Sequence, residues 1–157
     1  MYNVLFVCYG NICRSPMAEM ILKGLIYKNS KRYLISCESM ATSMEELGND
    51  IYPKAKKKLE EMNIDVERHI ARQFKRSDYD KYDYIIVFEE RNKRDLINII
   101  GNDVDNKIHL ILEYTENIKD IDDPWYTDDF DTAYDEIYEG CVGLFNYLVK
   151  RGSEDEI

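Results

Sequence analysis

Apolar residues along the chain fall into short continuous runs that alternate with longer segments of helical periodicity. The runs have the length of strands, and in the segments between them apolar residues recur at every third or fourth position. The predicted strands are residues 2–8, 33–37, 82–88 and 108–112, and the predicted helices are residues 16–28, 53–62, 91–100 and 131–150. Alternating strands and helices build a parallel sheet that is covered on both faces. The pattern therefore predicts an α/β fold, a four-stranded parallel sheet with helices on both faces.

Two polar segments follow predicted strands. Residues 9–15 come after the first strand, and residues 113–130 come after the fourth. In a parallel sheet, ligands bind beyond the carboxyl ends of the strands. We therefore expect both segments to face one crevice. At the other end of the chain, residues 152–157 are acidic and predict a frayed tail after the last helix.

Composition and charge narrow the classes of function. The chain has 157 residues and a formal net charge of −10, which fits a single domain over residues 1–157 and opposes nucleic acid or a membrane surface as the main partner. No apolar run approaches the roughly 20 residues of a membrane span, and Met1, Tyr2 and Asn3 lack the basic flank of a signal peptide. Four cysteines without a regular spacing fit reduced thiols, which predicts a cytoplasmic protein. A monomer is the default expectation.

A cysteine, five residues and an arginine stand between the first strand and the first helix. Successive backbone N–H groups of so tight a loop can point into one concavity that binds a tetrahedral oxyanion. Gly10 suits the loop because it tolerates positive φ and close backbone approach, and Arg14 adds a planar fork for two phosphate oxygens. These groups should favour the thiolate form of Cys8, an in-line nucleophile for phosphorus. The residues predicted to bind phosphate are Tyr9, Gly10, Asn11, Ile12, Cys13, Arg14 and Ser15.

The sequence resembles the low-molecular-weight protein tyrosine phosphatase family. The matching segments are Val7-Cys8-x-Gly10-Asn11-Ile12-Cys13-Arg14-Ser15-Pro16-x-Ala18-Glu19, His69-x-Ala71-Arg72-Gln73, Asp83-Tyr84-Ile85 and Asp123-Pro124. The first of these motifs is long and highly specific, and the resemblance spans nearly the whole chain. It implies a four-stranded parallel sheet flanked by helices, a phosphate-binding loop after the first strand, and an enzyme that hydrolyses phosphotyrosine in proteins.

The resemblance also implies a role for each catalytic residue. Cys8 would form a phosphocysteine, Arg14 would bind the phosphoryl oxygens, and Asp123 would protonate the leaving phenol and then activate water. Neither a metal nor an organic cofactor is implied, and phosphate or other tetrahedral oxyanions would inhibit. To act as an acid, Asp123 must be protonated, and repulsion from neighbouring carboxylates favours that form. These neighbours are Asp120, Asp122, Asp128 and Asp129, of which Asp122 is a minor rival for the role of acid.

Further residues are implied to support the loop or to line the substrate pocket. Asn11 and Ser15 would hold the loop in a strained shape, with Ser15 donating a hydrogen bond to the Cys8 sulfur. In the family, a histidine at the position of His69 supports the loop through Asn11 and Ser15. The predicted substrate pocket consists of Glu45, Trp125 and Tyr126. The two aromatic residues could sandwich a substrate ring or pack in the core.

The residues expected to form the wall of the substrate pocket depart from the family pattern, and this bears on substrate specificity. Family members commonly place an aromatic or large apolar residue where this chain has Glu45 and Glu46, and Trp125 stands where tyrosine is usual. The acidic pair suggests a preference for peptides with basic residues beside the phosphotyrosine. Neither departure touches the predicted chemistry.

Two cysteines of the loop predict sensitivity to oxidation. Cys13 lies five residues after Cys8, and a loop that curls back can bring the two sulfurs within bridging distance. Peroxide would then form a sulfenic acid on Cys8 that Cys13 traps as a disulfide. The alternative is that Cys13 only packs beneath the loop. Cys37 and Cys141 are predicted to be buried small hydrophobic residues.

Three rival functions remain at this point. Arsenate reductases on the same fold resemble the family but need two further cysteines near the third strand, and residues 74–107 contain none. Phosphoarginine phosphatases of the family tend to have threonine at the position of Ile12. A binding module or phosphocarrier would lack a well-placed acid, and Asp123 opposes that interpretation.

Overall fold

The structure, a computed structural model, describes residues 1–155. Its strands are β1 (Tyr2–Cys8), β2 (Ile35–Ala41), β3 (Tyr84–Val87) and β4 (Ile108–Leu110). They form one four-stranded sheet in the order β2-β1-β3-β4, and every pair is parallel. The predicted α/β fold is thereby confirmed.

Within residues 1–155, five α-helices connect and cover the strands. They are α1 (Arg14–Lys28), α2 (Pro53–Glu61), α3 (Glu90–Ile100), α4 (Pro124–Thr127) and α5 (Phe130–Asp155), and 3-10 turns occupy Arg76–Lys81 and Ile111–Tyr114. No helix in the described part of the chain has the length and hydrophobicity needed to cross a membrane.

The core lies on both faces of the sheet because successive strand residues point to opposite sides. In β1, Val4 and Phe6 face the apolar cluster that contains residues of α1, α2 and α5. Leu5 and Val7 face a second, smaller cluster that includes Leu96 of α3. These four side chains of β1 are fully buried. The central strand is therefore held from both sides, and its carboxyl end is a rigid base for the loop that follows.

The second strand lies further along the chain than the predicted residues 33–37. β2 pairs with β1 in a register that runs from Tyr2 opposite Ile35 to Cys8 opposite Ala41. Its polar residue Glu38 accepts hydrogen bonds from Tyr82 and Arg72, which come from distant parts of the chain. Local periodicity could not reveal these partners, so the prediction ended the strand too early.

The predicted frayed tail is wrong for residues 152–155. Helix α5 continues to Asp155, and Gly152 is buried against Leu34. A Cβ atom at Gly152 would lie 2.8 Å from Cδ1 of Leu34, so only glycine allows this approach. Tyr2 donates a hydrogen bond to the Asp155 carboxylate. The helix end is thus fixed to the start of β1, and residues 156–157 of the predicted tail lie outside the described residues.

Candidate active site

The loop of residues 8–15, called the 8–15 loop below, connects the carboxyl end of β1 to the start of α1. The carbonyl groups of Cys8 and Tyr9 accept hydrogen bonds from the backbone of Thr42 and Ser43 at 2.9 and 3.1 Å. The segment that follows β2 therefore runs along the first part of the loop and anchors it.

One pocket brings together most of the predicted site residues. It is lined by Cys8, Tyr9, Gly10, Ile12, Cys13, Arg14, Glu45, Glu46, Asp123, Trp125 and Tyr126. These residues come from the segments after β1, β2 and β4, as expected for the carboxyl edge of a parallel sheet. The predicted residues Asn11, Ser15 and His69 do not line the pocket, and all three are buried.

The left-handed position in the loop is Asn11, not Gly10. Asn11 has φ of 59°, whereas Gly10 does not have a positive φ. The expectation that Gly10 provides positive φ is therefore wrong, and the space beside Gly10 is instead occupied by the Glu46 side chain. A Cβ at Gly10 would lie 3.3 Å from Cγ of Glu46, so a side chain there would press on the loop after β2.

Asn11 is fully buried, and hydrogen bonds hold it in this strained conformation. Its Nδ2 donates to Oγ of Ser15 at 2.8 Å and to Oγ of Ser39 at 2.9 Å. Its Oδ1 accepts from the Arg72 backbone N–H at 3.3 Å, and its carbonyl lies 2.6 Å from Nε2 of His69. His69 thus contacts the loop at Asn11 directly and reaches Ser15 only through Asn11.

The same hydrogen-bond arrangement orients the Ser15 hydroxyl toward Cys8. Oγ of Ser15 lies 3.0 Å from Sγ of Cys8. Because Ser15 already accepts the Asn11 amide, its own hydrogen is free to point at the sulfur. A hydroxyl donor at this distance stabilises a thiolate more than a thiol.

Two residues of this hydrogen-bond network, Ser39 and Lys23, were missed in the sequence. Ser39 of β2 donates to Oε1 of Glu19 at 2.5 Å, and Lys23 donates to Oε2 of Glu19 at 2.6 Å. The carboxylate of Glu19 is buried but neutralised by Lys23 one helical turn later. Because the Ser39 hydroxyl donates its hydrogen to Glu19, its oxygen is left to accept the hydrogen bond from Asn11. In the sequence, the only local sign of this arrangement is the i, i+4 spacing of Glu19 and Lys23, which favours an ion pair on one helix.

Arg14 is buried beneath the pocket with 1% of its side chain exposed. Its Nη1 donates to Oε2 of Glu89 at 3.0 Å and to the Ile121 carbonyl at 2.8 Å, and its Nη2 lies 3.3 Å from Oδ2 of Asp123. Burial alone would lower the pKa of Arg14, but the charges of Cys8, Asp123 and Glu89 raise it overall. Arg14 is therefore a fixed cation with a defined orientation.

Glu89 is a further site residue that the sequence analysis did not identify. It follows β3, at the same edge of the sheet as the 8–15 loop, and lies 75 residues from Arg14 in the chain. The rule that placed the other segments at the carboxyl ends of strands could have found it. Its carboxylate balances the charge of Arg14 and fixes the tilt of the guanidinium plane.

Asp123 caps the short helix α4 and faces Arg14. Its Oδ1 accepts the Trp125 backbone N–H at 3.0 Å, and its Oδ2 forms the ion pair with Arg14. Three of its acidic neighbours have hydrogen-bond or ion-pair partners of their own. Asp120 accepts the Glu90 N–H, Asp128 pairs with Lys54, and Asp129 caps the start of α5 through Thr132. Both contacts of Asp123 are thus with donors.

The predicted pocket residues lie at the mouth of the pocket rather than in the core. Trp125 is 50% exposed and Tyr126 is 73% exposed. Trp125 is oriented by an edge-on contact with Tyr52, with ring centroids 4.9 Å apart. Glu45 accepts a hydrogen bond from the Tyr9 hydroxyl at 2.6 Å. These side chains can contact a group that enters toward Cys8.

All four cysteines are free and buried. Burial raises the pKa of Cys13, and the charge of the nearby Cys8 adds to this effect. Cys37 and Cys141 point at backbone carbonyls of α1 and are enclosed by the core, as predicted. Among residues 1–155, no three His, Cys, Asp or Glu side chains are grouped so that they could hold a metal ion.

Comparison with known proteins agrees with this geometry. The family model described as low molecular weight phosphotyrosine protein phosphatase matches residues 3–154. The low molecular weight protein-tyrosine-phosphatase YfkJ of Bacillus subtilis is 34% identical over 96% of this chain and 98% of YfkJ. PtpA of Staphylococcus aureus, another low molecular weight protein-tyrosine-phosphatase, is 34% identical over 99% of both chains.

Solved structures extend the agreement to the fold. The crystal structure of YfkJ matches with a TM-score of 0.92 over 96% of each chain, at 34% identity. The low molecular weight protein tyrosine phosphatase SP-PTP of Streptococcus pyogenes matches with a TM-score of 0.84, at 34% identity, over 94% of this chain and 93% of that one. The chain therefore belongs to the low molecular weight protein tyrosine phosphatase family.

Proposed function

We propose that the protein hydrolyses phosphotyrosine in proteins in two steps, through a phosphocysteine on Cys8. The observation that carries this proposal is that Cys8, Arg14 and Asp123 line one pocket, with the Ser15 hydroxyl 3.0 Å from the Cys8 sulfur. A nucleophile, a fixed cation and a carboxyl group are the three parts that the reaction needs.

In the first step, the Cys8 thiolate attacks phosphorus. Ser15 and the N-terminal end of α1 stabilise the negative charge on the sulfur. The S–P bond forms as the P–O bond to the tyrosyl oxygen breaks, and the electron pair of that bond leaves with the phenol oxygen. The loop amides of residues 9–15 and the guanidinium of Arg14 bind the three phosphoryl oxygens.

Asp123 handles the proton in both steps. In its protonated form it gives the proton to the phenol oxygen, so that tyrosine leaves as a neutral phenol. The resulting carboxylate then removes a proton from water, which attacks the phosphocysteine and releases inorganic phosphate and the Cys8 thiolate. The contacts of Asp123 with the Trp125 N–H and with Arg14 fix the carboxyl group at the pocket edge, where it can exchange a proton with the phenol oxygen and then with water.

Two rival reactions are less well supported. An arsenate reductase needs cysteines that can relay oxidation, but Cys37 and Cys141 are enclosed by the core and residues 74–107 contain no cysteine. Hydrolysis of phosphoarginine is opposed by Ile12 at the pocket wall. Phosphotyrosine therefore remains the proposed substrate, with phosphate and other tetrahedral oxyanions as competitive inhibitors.

The setting and organisation of the protein are part of the proposal. A thiolate nucleophile requires a reducing environment, and four free cysteines fit the cytoplasm. A single domain over residues 1–157 and a monomeric state are also proposed. Size-exclusion chromatography with light scattering tests the monomer, and a mass of two chains would overturn it.

Turnover of p-nitrophenyl phosphate and of a phosphotyrosyl peptide by the purified protein tests the proposed function. The wild type should hydrolyse both, and Cys8→Ser should hydrolyse neither, because the serine hydroxyl is barely ionised at neutral pH. Cys8→Ser should still fold and bind phosphate. Hydrolysis by Cys8→Ser near the wild-type rate would contradict the assigned nucleophile.

A further inference from the structure

One edge of the pocket mouth carries two carboxylates that have no cationic partner among the described residues. Glu45 accepts the Tyr9 hydroxyl at 2.6 Å, and Oε2 of Glu46 accepts Nδ2 of Asn49 at 2.6 Å. Neither takes part in an ion pair with a described residue. A phenol and an amide orient a carboxylate but leave its charge uncompensated.

Both carboxylates are fixed relative to the nucleophile. Tyr9, which holds Glu45, is the residue directly after Cys8. Cγ of Glu46 lies against Gly10 of the same loop, and Glu46 lines the pocket together with Cys8. When the phosphate of a substrate lies in the 8–15 loop, the residues next to the phosphotyrosine therefore lie near these two carboxylates.

The cations near the mouth do not neutralise this edge. Arg14 is buried and already engaged by Glu89 and Asp123. Arg91 lies over the Tyr9 ring, 5.0 Å from its centroid, but within the described chain it forms no ion pair with Glu45 or Glu46. Lys56 and Lys57 line an adjoining groove together with Glu46, but neither forms an ion pair with it within the described chain. Three carboxylates and one arginine line the pocket itself, so its lining carries a net negative charge.

The surroundings of the two carboxylates fit a polypeptide rather than a small solute. Met44 and Leu47 flank them on the same loop, and both are exposed, as are Trp125 and Tyr126 across the mouth. Exposed apolar and aromatic side chains next to charged groups are typical of a surface that binds another chain.

We propose that Glu45 and Glu46 select phosphotyrosyl segments that carry lysine or arginine within a few residues of the phosphotyrosine. This inference rests on the proposed function, since it assigns the substrate class of the same pocket. A basic side chain beside the phosphotyrosine meets an uncompensated carboxylate, whereas an acidic one is repelled by both carboxylates and by the protein as a whole.

Matched phosphotyrosyl peptides test the inference. Three peptides of one length carry lysine, alanine or glutamate on both sides of the phosphotyrosine, and kcat/KM is measured for each at low salt. The lysine peptide should exceed the glutamate peptide by about tenfold, because each exposed ion pair contributes roughly a factor of two to five. Raising the ionic strength to about 0.5 M should shrink the ratio, since the charges are exposed.

Two double variants separate the local contact from the overall charge. E45Q/E46Q removes both carboxylates and should reduce the lysine-to-glutamate ratio to about twofold or less. E61Q/E154Q makes the same change in net charge at exposed positions that do not line the pocket, and should keep most of the ratio.

The outcomes distinguish the two proposals. Hydrolysis of all three peptides with equal kcat/KM, or an equal loss of preference in both double variants, would overturn the inference and leave the proposed function standing. No hydrolysis of any phosphotyrosyl peptide or of p-nitrophenyl phosphate would overturn the proposed function, and the inference with it.

Discussion

The base and the mouth of the pocket differ in how their residues are held. At the base, Asn11, Arg14 and Ser15 are buried, and each makes two or more hydrogen bonds or ion pairs to other side chains or the backbone. At the mouth, Trp125 and Tyr126 are exposed and are held by few contacts. The base therefore requires its particular residues, whereas the mouth can change in sequence without loss of the loop. Chemistry should depend on the first region and selectivity on the second.

Among variants that keep Cys8, Asp123→Asn should reduce the rate of hydrolysis most. Asp123 lies at the boundary between the base and the mouth. Loss of the proton donor should slow substrates with poor leaving groups by about 10²–10⁴-fold, and activated phenyl phosphates much less. A series of aryl phosphates of increasing phenol pKa measures this dependence. Equal slowing of all members would point to another acid, and Asp122→Asn would be tested next.

Asn11→Ala should break the base while leaving the mouth unchanged. It removes the donors to Ser15 and Ser39 and leaves alanine in a left-handed conformation. We expect kcat to fall by about 10²-fold through misplacement of the loop, and the free energy of unfolding to fall by about 1–3 kcal/mol. Steady-state kinetics and chemical denaturation measure the two effects.

Asn63→Ala is the matched control for that variant. Asn63 has the same φ of 59° but is exposed at the end of α2. It should show a small loss of stability from the left-handed backbone alone, with kcat unchanged. A loss of kcat in Asn11→Ala no larger than in Asn63→Ala would refute the role given to the Asn11 hydrogen bonds.

A change at the mouth should affect binding more than the rate of chemistry. Trp125→Ala removes an exposed ring that Tyr52 holds edge-on, so KM for phosphotyrosyl peptides should rise by about three- to tenfold with little change in kcat. Trp125→Phe keeps an aromatic ring and should recover most of the loss. If kcat fell and KM did not, Trp125 would act on the position of Asp123 instead.

The smallest effect on untreated enzyme is expected for Cys13→Ser, because Cys13 is buried and kept as a neutral thiol. Its effect should appear after mild peroxide. The wild type should regain activity with dithiothreitol through a Cys8–Cys13 disulfide, whereas the variant should recover poorly because Cys8 oxidises further.

Phosphate in the pocket should protect both proteins from peroxide, and Cys37→Ala is the control for loss of a buried thiol elsewhere. Full recovery of Cys13→Ser, or the absence of a linked Cys8–Cys13 peptide, would leave Cys13 as a packing residue only.

Local patterns predicted the parts of the fold that depend on local interactions. Apolar runs predicted strands at residues 2–8 and 108–112; the first matches β1, whereas β4 ends at Leu110 and Ile111–Tyr114 forms a 3-10 turn. The helix predicted at residues 91–100 differs from α3 by one residue at its start and ends before Gly101 as expected. The 8–15 loop was found from a contiguous motif. Its place in the fold and its neighbour after β4 followed from the carboxyl-edge rule, whereas the segment after β2 was expected in the pocket from the family resemblance.

The missed features depend on partners that are distant in the chain. Glu89 becomes part of the site only through Arg14, and Ser39 only through Asn11 and Glu19. The choice of Asn11 over Gly10 for the left-handed position depends on donors and acceptors that surround the asparagine from three segments. A single sequence does not show which of its polar residues will meet.

Detection of a phosphoryl group on Cys8 is the decisive test of the phosphocysteine intermediate. The wild type is mixed with p-nitrophenyl phosphate, quenched within milliseconds and mapped by mass spectrometry, with Cys8→Ser treated in parallel. We expect one phosphoryl group on the peptide that contains Cys8, formed as fast as p-nitrophenol is released, and none in Cys8→Ser. A burst of p-nitrophenol with no phosphoryl group on Cys8, or with the group on another residue, would contradict the phosphocysteine intermediate.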